Sequence, residues 1–192
     1  CIPCTSVSSS TAGGSARAAA TTRRDKQQAR LRAEREARPV LGRLRQALSP
    51  ETDAGASWEK GAIGEELLAA SLKPLVDADV IVALHDRRIP GTSANIDHLL
   101  VAASGVWVVD AKRYKHRKIT KDVRGGIFSS RAILSVDGRD RSSLLDGVHK
   151  QVAVVRSALE AYPDVPVHGA LCFVDGDWGL RRRPFTLDGV VV

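Results

Sequence analysis

The chain has 192 residues, 43% of them hydrophobic, and a net charge of +7. No apolar run reaches the roughly 18 residues that a helical membrane span needs, and three cysteines are too few for a disulfide framework. The composition therefore excludes a disulfide-stapled scaffold and a helical span within these residues, and a reducing, cytoplasmic setting is the expectation.

The charge is uneven. Residues 1–57 hold ten Lys/Arg against five Asp/Glu, whereas residues 58–192 hold nineteen against seventeen. An N-terminal basic excess suits a phosphate polymer or an anionic membrane surface. Residues 1–20 are rich in Ser, Thr, Ala and Gly without periodicity, and disorder is expected there. Cys1 and Cys4 form one Cys-x-x-Cys with no second pair to complete a zinc site. Position 1 is not Met, so a processed, truncated or unusually initiated start is expected.

Residues 21–48 read as a basic helical arm of strong helix formers, interrupted by Pro39 and resumed with Leu41, Leu44 and Leu48 at helical spacing. Two readings stand side by side: a solvated or self-associating helix, homodimer included, and an arm that grips nucleic-acid backbone. Such a grip adds salt-dependent affinity without sequence reading. Residues 49–57 are a linker by composition. Ser57 is expected to cap a helix from Trp58 to about Lys73, with Pro74 beyond its stop. Ile63, Leu67, Ala70 and Ser71 would mark its buried face, widened by Leu68 and Leu72. Gly61 and Gly64 are costly inside a helix and predict close approach to another backbone. Glu66 reads as surface charge, and periodicity does not place Glu65.

Val80 to Ile89 predicts a strand, and Pro90-Gly91 a turn. Residues 96–112 then form two apolar runs around Ser104-Gly105, which predicts a hairpin. With those two residues as the loop, Asp97 faces Lys112, and Asp110 lies one diagonal step away on the same sheet face. His98 points to the other face. The runs are otherwise apolar on both sides, as in central strands covered by two layers. The following segment is strongly basic, with Arg113, Lys115, Arg117, Lys118, Lys121 and Arg124 around Tyr114. Ile127–Val136 predicts a strand ending at Asp137-Gly138, and Ser142 or Ser143 opens a helix to about Tyr162 that carries His149 and Gln151. Val165–Val174 is a further strand, followed by a loop and the Arg181, Arg182, Arg183 cluster. Val190–Val192 reads as an unfinished strand, so the domain, residues 58–192, is expected to be cut short of its fold end. The order of elements predicts an α/β domain with a mixed β-sheet flanked by helices.

Two carboxylates and a lysine on one covered sheet face are costly to bury unless they pair or bind a cation. A structural ion pair of Lys112 with Asp97 or Asp110 explains them. So does a site for a hard divalent cation, Mg2+ or Mn2+, where a metal polarises a phosphoryl oxygen and acidifies a bound water. Spacing alone leaves both open.

Gly64-Glu65, Ile96-Asp97-His98, Asp110-Ala111-Lys112 and Gln151 together resemble the NERD (nuclease-related) domain, a branch of the PD-(D/E)xK nuclease superfamily with the restriction-endonuclease-like fold. The resemblance covers about residues 58–192. It implies Asp97, Asp110 and the Ala111 carbonyl as metal ligands, Lys112 as the catalytic lysine, Glu65 approaching the metal from its helix, and Gln151 assisting at the phosphate or metal water. It implies a Mg2+- or Mn2+-dependent nuclease with DNA, or another nucleic acid, as partner. Arg113, Lys115, Arg117, Lys118, Arg181, Arg182 and Arg183 would then hold flanking phosphates. The rival is a weakly active or non-catalytic nucleic-acid-binding module on the same fold. Asp110 stands where Glu is commoner in the family, a shorter acid that sets a cation slightly deeper.

Overall fold

The computed structural model describes residues 54–192 except 127, 128 and 180–182, without the side chains of 54–60, together with residues 11–14, 17, 18, 21, 22, 25 and 29. Cys1, Cys4, Ile127, Arg181, Arg182, Pro39 and the leucines of the arm lie outside the described residues. Helix α1 spans Ala54–Asp77, and helix α2 spans Ser143–Ala158. The strands are β1 (Ile81–Arg88), β2 (Asn95–Ala102), β3 (Gly105–Arg113), β4 (Ile119–Gly126), β5 (Ser129–Val136), β6 (Arg139–Asp140), β7 (Val167–Val174), β8 (Thr186–Leu187) and β9 (Val190–Val191). They form a six-stranded sheet in the order β1-β2-β3-β7-β9-β8 and a separate three-stranded sheet, β4-β5-β6. The main sheet is mixed. β1, β2 and β3 are antiparallel neighbours, while β3 runs parallel to β7 and β7 parallel to β9. The expected α/β architecture is the observed one. No helix among the described residues is long and apolar enough to cross a membrane.

α1 begins earlier and ends later than its cap signals suggest. Residues 54–57, expected to be linker, are already helical, and Pro74 lies inside the helix. Pro74 sits in the last turn, where the lost N–H bond ends little helix beyond it. The buried stripe is also rotated from expectation. Ala62, Glu65, Leu68, Ala69 and Leu72 are buried or partly buried, whereas Leu67, Ala70 and Ser71 are exposed. Gly64 explains part of this: a Cβ there would stand 3.0 Å from the Arg113 Cβ, so the helix lies close on β3. No described residue crowds Gly61.

α2 covers the other side of the sheet through Leu145, Val148, Val152 and Val155, all buried. Gly169 on β7 permits that approach, since a Cβ there would meet the Val148 Cγ1 at 2.7 Å. Ser142 is the N-cap residue of α2 without a side-chain cap bond. Its Oγ instead accepts the Leu134 N–H at 3.1 Å, tying β5 to the helix start. Val108, Leu134, Leu171 and Val190 are at most 1% exposed and lie in one core cluster, so both sheets share the core.

Part of the basic segment, for which the sequence suggested no element, is a strand: residues from Ile119 form β4, which pairs antiparallel with β5 from Ile119↔Val136 to Gly126↔Ser129. Val190–Val191, read as a strand, is one: it lies parallel to β7 and antiparallel to β8. Within residues 1–20, where disorder was expected, Thr11–Gly14 form a turn that leads into helical backbone at Arg17 and Ala18.

Candidate active site

The site grows from a lapse in the sheet. The β2–β3 hairpin turns at Ala103-Ser104, with Ala102 opposite Gly105 and His98 opposite Val109. The expected Ser104-Gly105 loop would have shifted the pairing by two residues, so Lys112 is not the partner of Asp97. Continuing the observed register places Asp97 opposite Asp110. A shift of two keeps every side chain on its face, so Asp97, Asp110 and Lys112 still share one. Gly105 explains the choice of turn: it has φ +119, and a Cβ would lie 2.4 Å from the Pro166 carbonyl oxygen. Neither the β1–β2 nor the β2–β3 pairing includes Asp97. Where the second ladder stops, the Asp97 Oδ2 accepts the Ala111 N–H at 3.0 Å.

Around this opening the acids crowd. Asp110 is buried, and the Lys112 ammonium donates to its Oδ1. Burial pushes the Asp97 carboxyl up to about 8, helped by the charges of Asp110 and Glu65 and opposed by Lys112 and the Ala111 N–H. Burial also raises the Glu65 carboxyl, with Asp86 adding to it; the Gly13 N–H and Lys112 act against the rise. For Lys112 burial works downward, but Asp110, then Asp97 and Glu65, outweigh it and lift the ammonium above its ordinary range. The lysine is therefore a fixed positive charge among several carboxylates.

The predicted residues divide into three groups. Glu65, Asp97, Asp110 and Lys112 come together, and Ala111 is held by Asp97. Gln151 lies on α2 with its Oε1 buried and without a hydrogen-bond partner among the described residues, between Val148 and Val155 on the helix that covers the sheet. Among the flanking basic residues, Arg113 is paired with Asp175 at 2.9 Å and Arg117 with Asp137 at 2.7 Å. Lys115, Lys118 and Arg183 are exposed. His98, read as structural by alternation, is fully buried, with its Nδ1 2.7 Å from the Nδ1 of His85. His149 is exposed, and its Nε2 lies 2.8 Å from the Asp188 carbonyl oxygen.

Asp86 is the residue that sequence reasoning missed. It sits in β1 with φ +53, receives the Asn95 Nδ2–H at 2.6 Å, and raises Glu65 electrostatically. The β1–β2 register would place it opposite Asp97, a relation that appears only once the pairing His85↔His98 is known.

The donor set is all oxygen. Carboxylates and a carbonyl suit a hard divalent cation better than a soft or imidazole-loving one, and such a cation would favour the ionised forms of the Asp97 and Glu65 carboxyls, which burial, and then neighbouring acids, raise. Among the described residues, no three His, Cys, Asp or Glu side chains are already arranged to cage an ion, and Lys112 and the Ala111 N–H engage the Asp110 and Asp97 oxygens. These residues fit a metal that shares its site with the lysine.

Comparison with known proteins agrees in kind. The NERD family profile, described as a nuclease-related domain, matches residues 60–174. No curated protein and no solved structure gives a significant match.

Proposed function

Because the chain belongs to the nuclease-related domain (NERD) family, we propose that it is a metal-dependent nuclease that hydrolyses DNA phosphodiester bonds. The observation that supports this most is the convergence of Asp97, Asp110 and Glu65 on Lys112 where the β2–β3 ladder lapses. Asp97, Asp110 and the Ala111 carbonyl would hold Mg2+ or Mn2+, with Glu65 approaching from α1. A bound divalent cation supplies Lewis acidity to the phosphoryl oxygen and a more acidic water. Lys112, kept protonated by its three acids, balances the charge that develops on the phosphoryl oxygens or orients the attacking water. Gln151, whose Oε1 has no hydrogen-bond partner among the described residues, would assist at the phosphate or at the metal water. Residues 58–192 carry the reaction, and the basic residues 21–48 add salt-sensitive grip on the backbone.

A second reading has its own support. The Asp110 and Asp97 oxygens are already engaged by Lys112 and by the Ala111 N–H, an arrangement that also suits a nucleic-acid-binding module with little chemistry. Calorimetry with millimolar Mg2+ or Mn2+ separates the two. Stoichiometric binding that disappears in Asp110→Ala supports the nuclease, and no binding supports the module.

A further inference from the structure

The positive charge of the domain is concentrated in one short region. Residues 115–141 hold eight Lys/Arg and three Asp, while the rest of residues 58–192 holds eleven Lys/Arg and fourteen Asp/Glu. This region is the loop after β3 and the three-stranded sheet β4-β5-β6, which is not part of the main sheet's strand ladder.

The sheet is anchored at one end and open at the other. Ile119, Ile133, Leu134 and Val136 are buried at its base, and the Lys121 Nζ donates to the Thr186 carbonyl at 3.0 Å. Toward the far end Val123 is 68% exposed, and Arg124, Gly125, Gly126 and Arg131 are exposed. There Arg124 lies directly opposite Arg131. Like charges directly across a sheet destabilise it, and a bound anion would relieve that repulsion. Asp140 partly offsets them through Arg131, at 3.2 Å, and the Arg124 Nη2 donates to the Gly138 carbonyl at 2.7 Å. Both guanidiniums retain further N–H donors for phosphate oxygens.

We infer that the β4–β5 ribbon is a duplex-binding arm, on which Arg124 and Arg131 hold phosphates of a DNA helix whose backbone reaches the Lys112 site. β4 begins at Ile119, shortly after β3 ends at Arg113, so a short connection ties the base of the ribbon to the strand that carries Lys112. A two-stranded ribbon is also of a width that duplex DNA accepts in its major groove. This inference rests on the nuclease reading for the identity of the substrate, but not on turnover.

The test uses the full chain with EDTA present, so that binding is read without cleavage. Fluorescence anisotropy compares duplex and single-stranded DNA of one length over a salt series for wild type, R124A/R131A and R124K/R131K. Loss of two phosphate contacts predicts about tenfold weaker duplex binding and a salt slope reduced by about 1.8 in R124A/R131A, with R124K/R131K near wild type. Unchanged duplex affinity overturns the arm, as does an equal loss in R124K/R131K or a loss confined to the single strand. Cleavage by the same proteins in Mn2+ is scored separately: an inactive wild type with intact arm-dependent binding contradicts the nuclease reading and leaves the arm standing.

Discussion

The Asp97 carboxylate accepts the Ala111 N–H at 3.0 Å, although the β2–β3 ladder has already ended at His98↔Val109. A side chain thus takes over where backbone pairing stops, and it holds an acid at the point where two strands part. Asp97→Asn keeps an acceptor for that N–H and removes the charge. The variant is expected to be at least as stable as wild type at pH 8 in EDTA, while its Mn2+ affinity falls at least tenfold. Thermal melts and calorimetry check both, and unchanged affinity removes Asp97 from the ligand set.

The raised Asp97 carboxyl makes a linkage prediction. Its folded value, about 8, exceeds the ~4 of an unfolded aspartate. Its contribution to stability is therefore complete below pH ~4 and is lost as pH rises through about 8. In EDTA this group lowers the melting temperature on going from pH 6 to pH 8.5. Millimolar Mn2+, which favours the ionised acid, should restore stability more at pH 8.5 than at pH 6. A metal effect that is equal or larger at the lower pH would contradict the assignment.

His98 works in the opposite direction. Burial, then the nearby charge of His85, lowers its pKa to about 4, so its contribution is present above ~6.5 and lost as pH falls toward 4. His98→Gln, which can still bond His85, should flatten the acid limb of the stability profile between pH 6.5 and 4. An unaltered acid limb would show that other groups govern it.

Much of this was legible in the sequence because hydrophobic alternation and turn residues act locally. Two apolar runs around a small polar pair gave the β2–β3 hairpin, and alternation put Asp97, Asp110 and Lys112 on one face even though the turn lies one residue earlier. Glu65 was not placed by periodicity, because α1 is set on the sheet by the Gly64–Arg113 approach rather than by its own apolar stripe. Asp86 was hidden for a related reason, since its neighbours come from strand register and from a φ of +53 that its sequence surroundings do not announce. The first strand of the ribbon was masked by its charge: Lys121, Asp122 and Arg124 carry no apolar alternation, and their strand is visible only in the pairing with β5.

The N-terminal turn offers a test outside the family match. Gly13 has φ +74, and a Cβ on it would stand 2.9 Å from the Ala62 carbonyl oxygen. The neighbouring helical residue Arg17 binds Glu66 at 2.5 and 2.6 Å. Gly13→Ala should cost at least about 1 kcal/mol and weaken the N–H support of Glu65. Arg17→Ala should cost little, because that pair is largely exposed. A Gly13→Ala protein that melts like wild type would show that the turn is not seated on α1.

The most direct test of the central claim is cleavage of plasmid, linear and single-stranded DNA in Mg2+ and in Mn2+ by wild type, Asp110→Ala and Lys112→Ala, each shown folded by circular dichroism. Wild type should cleave only with metal, Lys112→Ala should be slower by about 100- to 1,000-fold, and Asp110→Ala should be inactive. Robust metal-dependent cleavage by Lys112→Ala, or metal-independent cleavage by wild type, would contradict it.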